Sequence, residues 1–248
     1  MIWRQTKNPY FILVSEIMLQ QTNVSRVTKK YIQFIREFPT IESLANAPLS
    51  DVLVIWNGLG YNNRAKYLKL SAMKIFSYYQ NKFPEEIKIL STLPGIGKAT
   101  AAAILTYAFN KPIPYIETNV RTVFIYHFFS QKKKVSDKEL EPLVEKALEI
   151  ENPREWYWAL MDYGSYLKKI YGNLSQKSSQ YQKQSQFNGS RRQMRSAIIK
   201  LLIEKKELSK ENILKFSGFT TEKITEVLNL LKNDNLIKNV RDMYSLAI

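Results

Sequence analysis

The segment Leu93-Pro-Gly-Ile-Gly-Lys-Ala-Thr100 constrains this chain more than any other. Residues 85–90 before it and 100–109 after it carry apolar side chains at helical spacing, so the segment must turn one helix sharply into another. Gly95 and Gly97 permit positive φ and leave the amide N–H groups of the turn uncovered at the start of the second helix. Such amides suit a phosphate oxygen. Alone, a GxG pair serves equally well as an ordinary helix–helix turn, so the rest of the chain has to decide.

Its 248 residues suffice for one large or two modest domains. The net charge of +15 fits a polyanionic partner such as nucleic acid, although a lysine-rich genome produces the same excess. Without cysteine, the sequence excludes disulfides, thiolate zinc sites and cysteine-ligated iron–sulfur clusters. The single histidine, His127, lies in the apolar run 123–129 and reads as a packed helix residue rather than a catalyst. No apolar run is long enough to cross a bilayer and the first residues do not resemble a signal peptide. These features predict a soluble, cytoplasmic protein, associated with the nucleoid if the source is prokaryotic.

Along the chain, helices are predicted over 9–19, 24–38, 41–45, 51–56, 61–81, 85–90 and 100–109, with no strand-like alternation among them. Within the first, Glu16 is the one charge among aliphatic neighbours. Buried there, its pKa would rise towards that of a general acid; on a polar stripe it would be an ordinary surface residue. The prolines of 111–116 predict an extended crossing, followed by a helix capped by Glu117 or Thr118. Lys132-Lys-Lys134 reads as a solvated turn, and helices follow over 137–149 and 154–163.

Composition then shifts. Residues 163–203 contain eight basic side chains and no acidic one, and the Ser- and Gln-rich stretch 175–190 reads as a basic linker or strap. Residues 194–205, 210–216 and 221–232 predict three helices, and 236–247 a β-hairpin, an order that looks like a winged helix. Such a module binds DNA or protein, and the sequence leaves both open.

Three segments together carry a resemblance. Ser15-Glu-Ile-Met-Leu-Gln-Gln-Thr22, Gly58-Leu-Gly-Tyr-Asn-Asn-Arg-Ala65 and the Leu93–Thr100 hairpin are similar, in this order, to the helix-hairpin-helix DNA glycosylases of the endonuclease III type. The MutY-type adenine glycosylases resemble the chain most, with Trp3-Arg4, Pro9-Tyr10, Leu44–Pro48 and Leu160–Gly164 in support. The resemblance spans about residues 3 to 170. It implies an all-α, two-part HhH-GPD fold with a DNA cleft between the parts, here with a small C-terminal winged-helix domain. The corresponding division is 9–111 for the six-helix part with the hairpin, 1–8 and 112–174 for the second part, 175–190 for the strap and 191–248 for the winged helix.

The resemblance also implies roles. Glu16 matches the catalytic glutamate that protonates a flipped adenine, Glu117 the second catalytic carboxylate, and Asn119 an asparagine that holds the catalytic groups. Gln20 and Gln21 match residues beside the hole left by the flipped nucleotide, and Tyr61 the tyrosine that wedges into the stack. Arg4, Arg64, Lys98, Thr100, Lys168 and Lys169, with the amides of Gly95 and Gly97, complete the implied DNA contacts. The carbonyls of Leu93 and Gly95 are a candidate seat for a sodium or potassium ion. The implied partner is double-stranded DNA with a mismatched or damaged base, bound by a monomer.

Four departures qualify this. The family has aspartate where Glu117 stands, and the extra methylene moves the charge by about an ångström. Ala99 occupies the position of the lyase lysine, with Lys98 one place early, so the expected enzyme is monofunctional. Lys168, Ser175, Ser178 and Gln184 stand where the family has the cysteines of an iron–sulfur cluster, so no cluster is expected and the loop should be looser. The winged helix replaces the family's usual C-terminal domain. The leading expectation is removal of adenine opposite guanine or 8-oxoguanine. The alternatives are a uracil or thymine mismatch glycosylase and a DNA lesion-binding protein without chemistry.

Overall fold

A computed structural model describes residues 1–247 of the chain. Helix α1 (Pro9–Leu19) is apolar on nearly every side and lies at the centre, with Ile12, Leu13, Val14, Ile17 and Met18 all buried. It starts where Asn8 caps the N–H groups of Tyr10 and Phe11 and Pro9 presets the first turn. Helices α2 (Val24–Glu37) and α5 (Asn63–Ser77) pack on it, and α3 (Ile41–Asn46) and α4 (Leu49–Trp56) pack on α5. Helix α2 shows the opposite pattern to α1, burying only Val27, Tyr31 and Phe34, which recur at helical spacing. A short α6 (Ile87–Leu90) leads through the hairpin into α7 (Lys98–Phe109), whose run of small residues lets it lie closely against α1.

The chain then crosses in extended form over residues 111–116. Tyr115 stacks on Tyr157 at 4.1 Å and donates its backbone N–H to the Tyr157 hydroxyl. Beyond the crossing stand α8 (Thr118–Phe128), α9 (Asp137–Ala147) and α10 (Pro153–Tyr171). The N-terminal turn Ile2–Gln5 returns to this group, because both Nη atoms of Arg4 hold the carboxylate of Asp162 at 2.7 and 2.8 Å. A cleft opens between α1 and α7 on one side and α8 and α10 on the other.

The C-terminal unit runs α11 (Arg191–Lys205), β1 (Glu207–Ser209), α12 (Lys210–Ser217), α13 (Thr221–Asn233), β2 (Ile237–Val240) and β3 (Met243–Leu246). Its sheet has the order β1-β3-β2, antiparallel throughout, with Leu208 and Asn239 on either side of Tyr244. This is the winged-helix arrangement. Strand β1 goes beyond the sequence expectation, since three residues carry too little alternation to be seen. Helix α10 runs eight residues past its expected end, and α5 stops at Ser77 because Gln80 and Asn81 take positive φ. His127 is on α8 as expected but exposed, with Nε2 2.8 Å from the Tyr163 hydroxyl. No helix among the described residues is long and apolar enough to cross a membrane.

Candidate active site

Glu16 sits in the third turn of α1, where the helix stops facing the core and meets the cleft. Its carboxylate receives no hydrogen bond from any described residue. Burial raises its pKa first, and the negative charge of Glu117 second, together pushing it up to about 8. Two buried tyrosines, Tyr107 and Tyr115, join hydroxyls at 2.9 Å and stand within reach of its charge. A carboxylic acid in such surroundings keeps its proton at neutral pH.

Glu117 faces the same cleft from the N-cap of α8 and is treated differently. Its Oε1 accepts the N–H groups of Asn119 at 2.5 Å and Val120 at 3.0 Å. Burial pushes its pKa up, while those donors and the nearby Arg121 pull it back. Arg121 is held in turn by Asp137 through two contacts of 2.7 and 2.6 Å. Only one oxygen of Glu117 is engaged, which leaves Oε2 free of protein partners among the described residues. Asn119, in the first turn of α8, lies against α10, with Nδ2 3.6 Å from the Met161 sulfur. Gly164 permits that approach: a Cβ there would stand 2.6 Å from both Cβ and the carbonyl oxygen of Asn119.

The cleft encloses about 920 Å³ and includes Arg4, Ala99, Trp158 and Lys168 with the residues just described. That volume admits a nucleobase with its sugar. Ala99, not Lys98, lines it, and Lys98 is exposed on the outer side of the α7 start.

Above the cleft, the hairpin takes a form that revises one expectation. Gly95 has φ +75, and a Cβ there would press on Tyr67 at 2.9 Å. Gly97, by contrast, is extended at φ −83 and serves as the N-cap of α7. The N–H groups of Gly97, Lys98 and Ala99 have no protein acceptor among the described residues. The carbonyls of Leu93 and Gly95 each accept one hydrogen bond, from Ile96 N–H and Gln20 Nε2, and each has a second lone pair without a partner among the described residues.

Three expected DNA contacts already hold protein partners. Arg64 is buried, and its guanidinium donates to the carbonyls of Ile17, Met18 and Gln20 at 2.9, 2.9 and 2.7 Å, and to Thr22 and Gly60. It satisfies the open C-terminus of α1 and thereby positions the 20–22 and 58–61 loops. Arg4 is committed to Asp162. Gln20 braces the hairpin through Gly95 and Thr100 at 3.1 and 3.3 Å. Gln21 and Tyr61, both at positive φ, line a second pocket, Gln21 exposed and Tyr61 half-buried, and Lys169 is exposed outside the cleft.

This geometry can be set beside known proteins. The profile of the HhH-GPD superfamily of base excision DNA repair proteins matches residues 14–149, more than half of the chain. The chain belongs to this superfamily. Among HhH-GPD relatives, the adenine DNA glycosylase of Buchnera aphidicola from Acyrthosiphon pisum is 37% identical over 166 residues, covering 66% of this chain and 47% of the relative. That of Mycobacterium tuberculosis H37Rv is 43% identical over 122 residues, covering 49% and 40%. The chain therefore spans about half the length of these relatives or less. The thymine/uracil-DNA glycosylase of Methanothermobacter thermautotrophicus is 30% identical over 168 residues, covering 66% of this chain and 76% of the relative. A solved thermostable thymine-DNA glycosylase superposes with a TM-score of 0.59 at 29% identity, over 66% of this chain and 77% of the other. An endonuclease III in a DNA complex shares the fold at a TM-score of 0.53 and 22% identity, over 65% and 72%.

Within this HhH-GPD framework, the loop that carries the cluster cysteines in the resembled family is closed by hydrogen bonds. Ser175 and Ser178 are buried, Val135 donates its N–H to the Lys177 carbonyl and Ser179 its N–H to the Val135 carbonyl, both at 2.8 Å, and Lys177 Nζ donates to the Ser130 carbonyl at 2.6 Å. Other participants escaped the sequence reading. Tyr107 and Tyr115 had no signal beyond being aromatic, and Arg192 was only one of eight basic residues in its stretch. Gly164 could have been found as a glycine inside a helical pattern, the usual mark of a close approach.

Proposed function

We propose that this chain is a monofunctional DNA glycosylase, acting as a monomer on mismatched duplex DNA and removing adenine opposite guanine or 8-oxoguanine. The observation that carries the reading is the unlike pair of carboxylates in one cleft. Glu16, held protonated, gives its proton to the base, since adenine leaves poorly as an anion. Glu117, anchored through Oε1 with Oε2 free, places negative charge beside the oxocarbenium-like sugar, as in two-carboxylate glycosidases. Asn119 fixes the first turn of α8 and with it the place of Glu117. Water attacks the sugar after Glu16 has lost its proton, and Glu16 can then accept one from that water.

Tyr61 enters the stack as the base leaves, with Gln21 beside the hole. The free amides of Gly97 and Lys98 bind a backbone phosphate, and Lys168 adds charge at the cleft. A monovalent cation on the Leu93 and Gly95 carbonyls would supply positive charge for that phosphate. Ala99 leaves the cleft without a Schiff-base amine, which supports hydrolysis without strand cleavage. Borohydride trapping of a protein–DNA adduct would overturn that part.

The extent of overlap with the thymine/uracil glycosylase favours one second reading, removal of a mispaired pyrimidine. Single-turnover release from duplexes with A opposite 8-oxoguanine, A opposite G, T opposite G and U opposite G decides between them. Adenine release is the expected outcome. Pyrimidine release alone would establish the second reading, and mismatch binding without any release would sink both.

A further inference from the structure

On the far side of the 20–22 loop from Glu16 lies a second pocket, of about 360 Å³, between the body and the C-terminal unit. Gln21, Tyr61 and Asn63 form one wall, and Arg192, Arg195 and Asp234 the other. Asp234 docks the unit: its carboxylate takes Arg195 at 2.6 Å and Asn63 at 3.1 Å, and its carbonyl takes Lys66 Nζ at 2.5 Å. This attachment does not involve Arg192.

Helix α11 presents three arginines at this end, and two have carboxylate partners, Arg191 on Glu226 and Arg195 on Asp234, both at 2.6 Å. Arg192 has none among the described residues. Its guanidinium donates instead to the Tyr61 hydroxyl at 2.8 Å and the Ser185 carbonyl at 2.5 Å, and lies over the rings of Tyr61 and Phe187. Gln184 also reaches the Tyr61 hydroxyl. A cation with two neutral acceptors beside a half-buried tyrosine is only weakly held there. An anionic or carbonyl oxygen of DNA would outcompete a phenol, because charge-assisted hydrogen bonds are about twice as strong as neutral ones.

We propose that Arg192 is a DNA contact supplied by the C-terminal unit, binding acceptor oxygens of the nucleotides that remain in the duplex beside Tyr61. This rests on the glycosylase reading only in taking Tyr61 as the wedge. The unit would thus face DNA with its first helix. Its third helix, α13, carries Glu222 and Glu226 against Lys223 and Lys232, so it offers no net positive charge of its own.

The test is equilibrium binding of the full chain, as wild type, Arg192→Ala and Arg192→Lys, to mismatched duplexes whose target adenosine is 2′-fluorinated and not cleaved. Arg192→Ala should weaken binding about tenfold with no change in thermal unfolding. If the acceptor is a phosphate, the slope of log affinity against log salt falls by about 0.9, the loss is the same for every opposite base, and lysine restores most of it. If it is a base edge, lysine does not restore it and the loss is confined to opposite bases with paired acceptors, as guanine has. Affinity within twofold of wild type overturns the proposal. Tighter binding also overturns it, making Arg192 a mere cover for Tyr61. Since excision is not read, a wild type that binds normally but releases no base would defeat the proposed reaction and leave this contact standing.

Discussion

The α1 and α8 sides of the cleft hold the same side chain in two environments. Glu16 emerges from the middle of an apolar helix, where backbone N–H groups are already spent on the helix and none is left to steady a charge. Glu117 begins a helix, where N–H groups are unpaired and one oxygen collects two of them. Both are half-buried in the cleft wall, yet only the first lacks donors, and it is the one pushed up to about 8. The contrast separates two residues of one type within a single cavity: the position along a helix decides which carboxylate finds donors.

Removing the acid should have the largest effect. Glu16→Gln keeps shape and removes the proton, and single-turnover base release should fall roughly 10³-fold while DNA affinity holds. A loss below about tenfold would mean that protonation comes from elsewhere. Next is Gly164→Ala, which attacks the α8 side. The added methyl meets backbone of Asn119, which cannot swing aside as a flexible side chain would. Overpacking of this kind costs about 1–3 kcal/mol, a fall in melting temperature of roughly 5 °C in a chain of this size, with slower release as Asn119 and Glu117 shift. An unchanged melting temperature would show that α8 and α10 have slack at this point.

The pH dependence sharpens the comparison further. Base release should decline above about pH 8 as Glu16 loses its proton. Stability should move in a related way. In the unfolded chain this glutamate titrates near its ordinary value of 4.5, and in the folded chain near 8. Between those values the folded state holds a proton that the unfolded state has released, so stability falls as pH rises through the window. Glu16→Gln has no such dependence. Its melting temperature should gain on wild type by a few degrees between pH 5 and pH 8, measured by calorimetry, even though its activity is lost. A constant difference across that range would place Glu16 in a wetter site than the structure gives it.

Much of this arrangement was legible before any coordinates. A lone glutamate in Ile12–Leu19, a GxG turn between helices and an acidic residue ahead of the α8 pattern follow from spacing alone, because helix periodicity and capping are local. Arg64 shows where that legibility ends. In sequence it is one cation in a basic chain, and only the fold reveals that it sits against six backbone and side-chain acceptors of the α1 C-terminus and two loops. Arg4 misleads in the same manner, since its partner Asp162 is 158 positions away. Arg192 meets Tyr61 across 131 residues. Charge is visible in a sequence, but whether it is free or spent depends on non-local contacts.

The smallest effect expected concerns the length of the second carboxylate. Glu117→Asp should keep the cap, since aspartate is as good an N-cap as any and the N–H groups of Asn119 and Val120 remain in place. With the shorter arm, the same two bonds would draw the free oxygen towards the α8 axis by about an ångström. If the resemblance sets the right distance to the sugar, that retraction should speed adenine release several-fold, up to about tenfold, with the melting temperature unchanged. A rate equal to wild type would mean that charge at the cap suffices wherever its oxygen lies. A slower rate would mean that the cleft is built for the longer arm. In that case Glu117 is matched to the cleft as it stands, and Glu16 and Glu117 would have to be treated as one pair whose spacing is set jointly by α1 and α8.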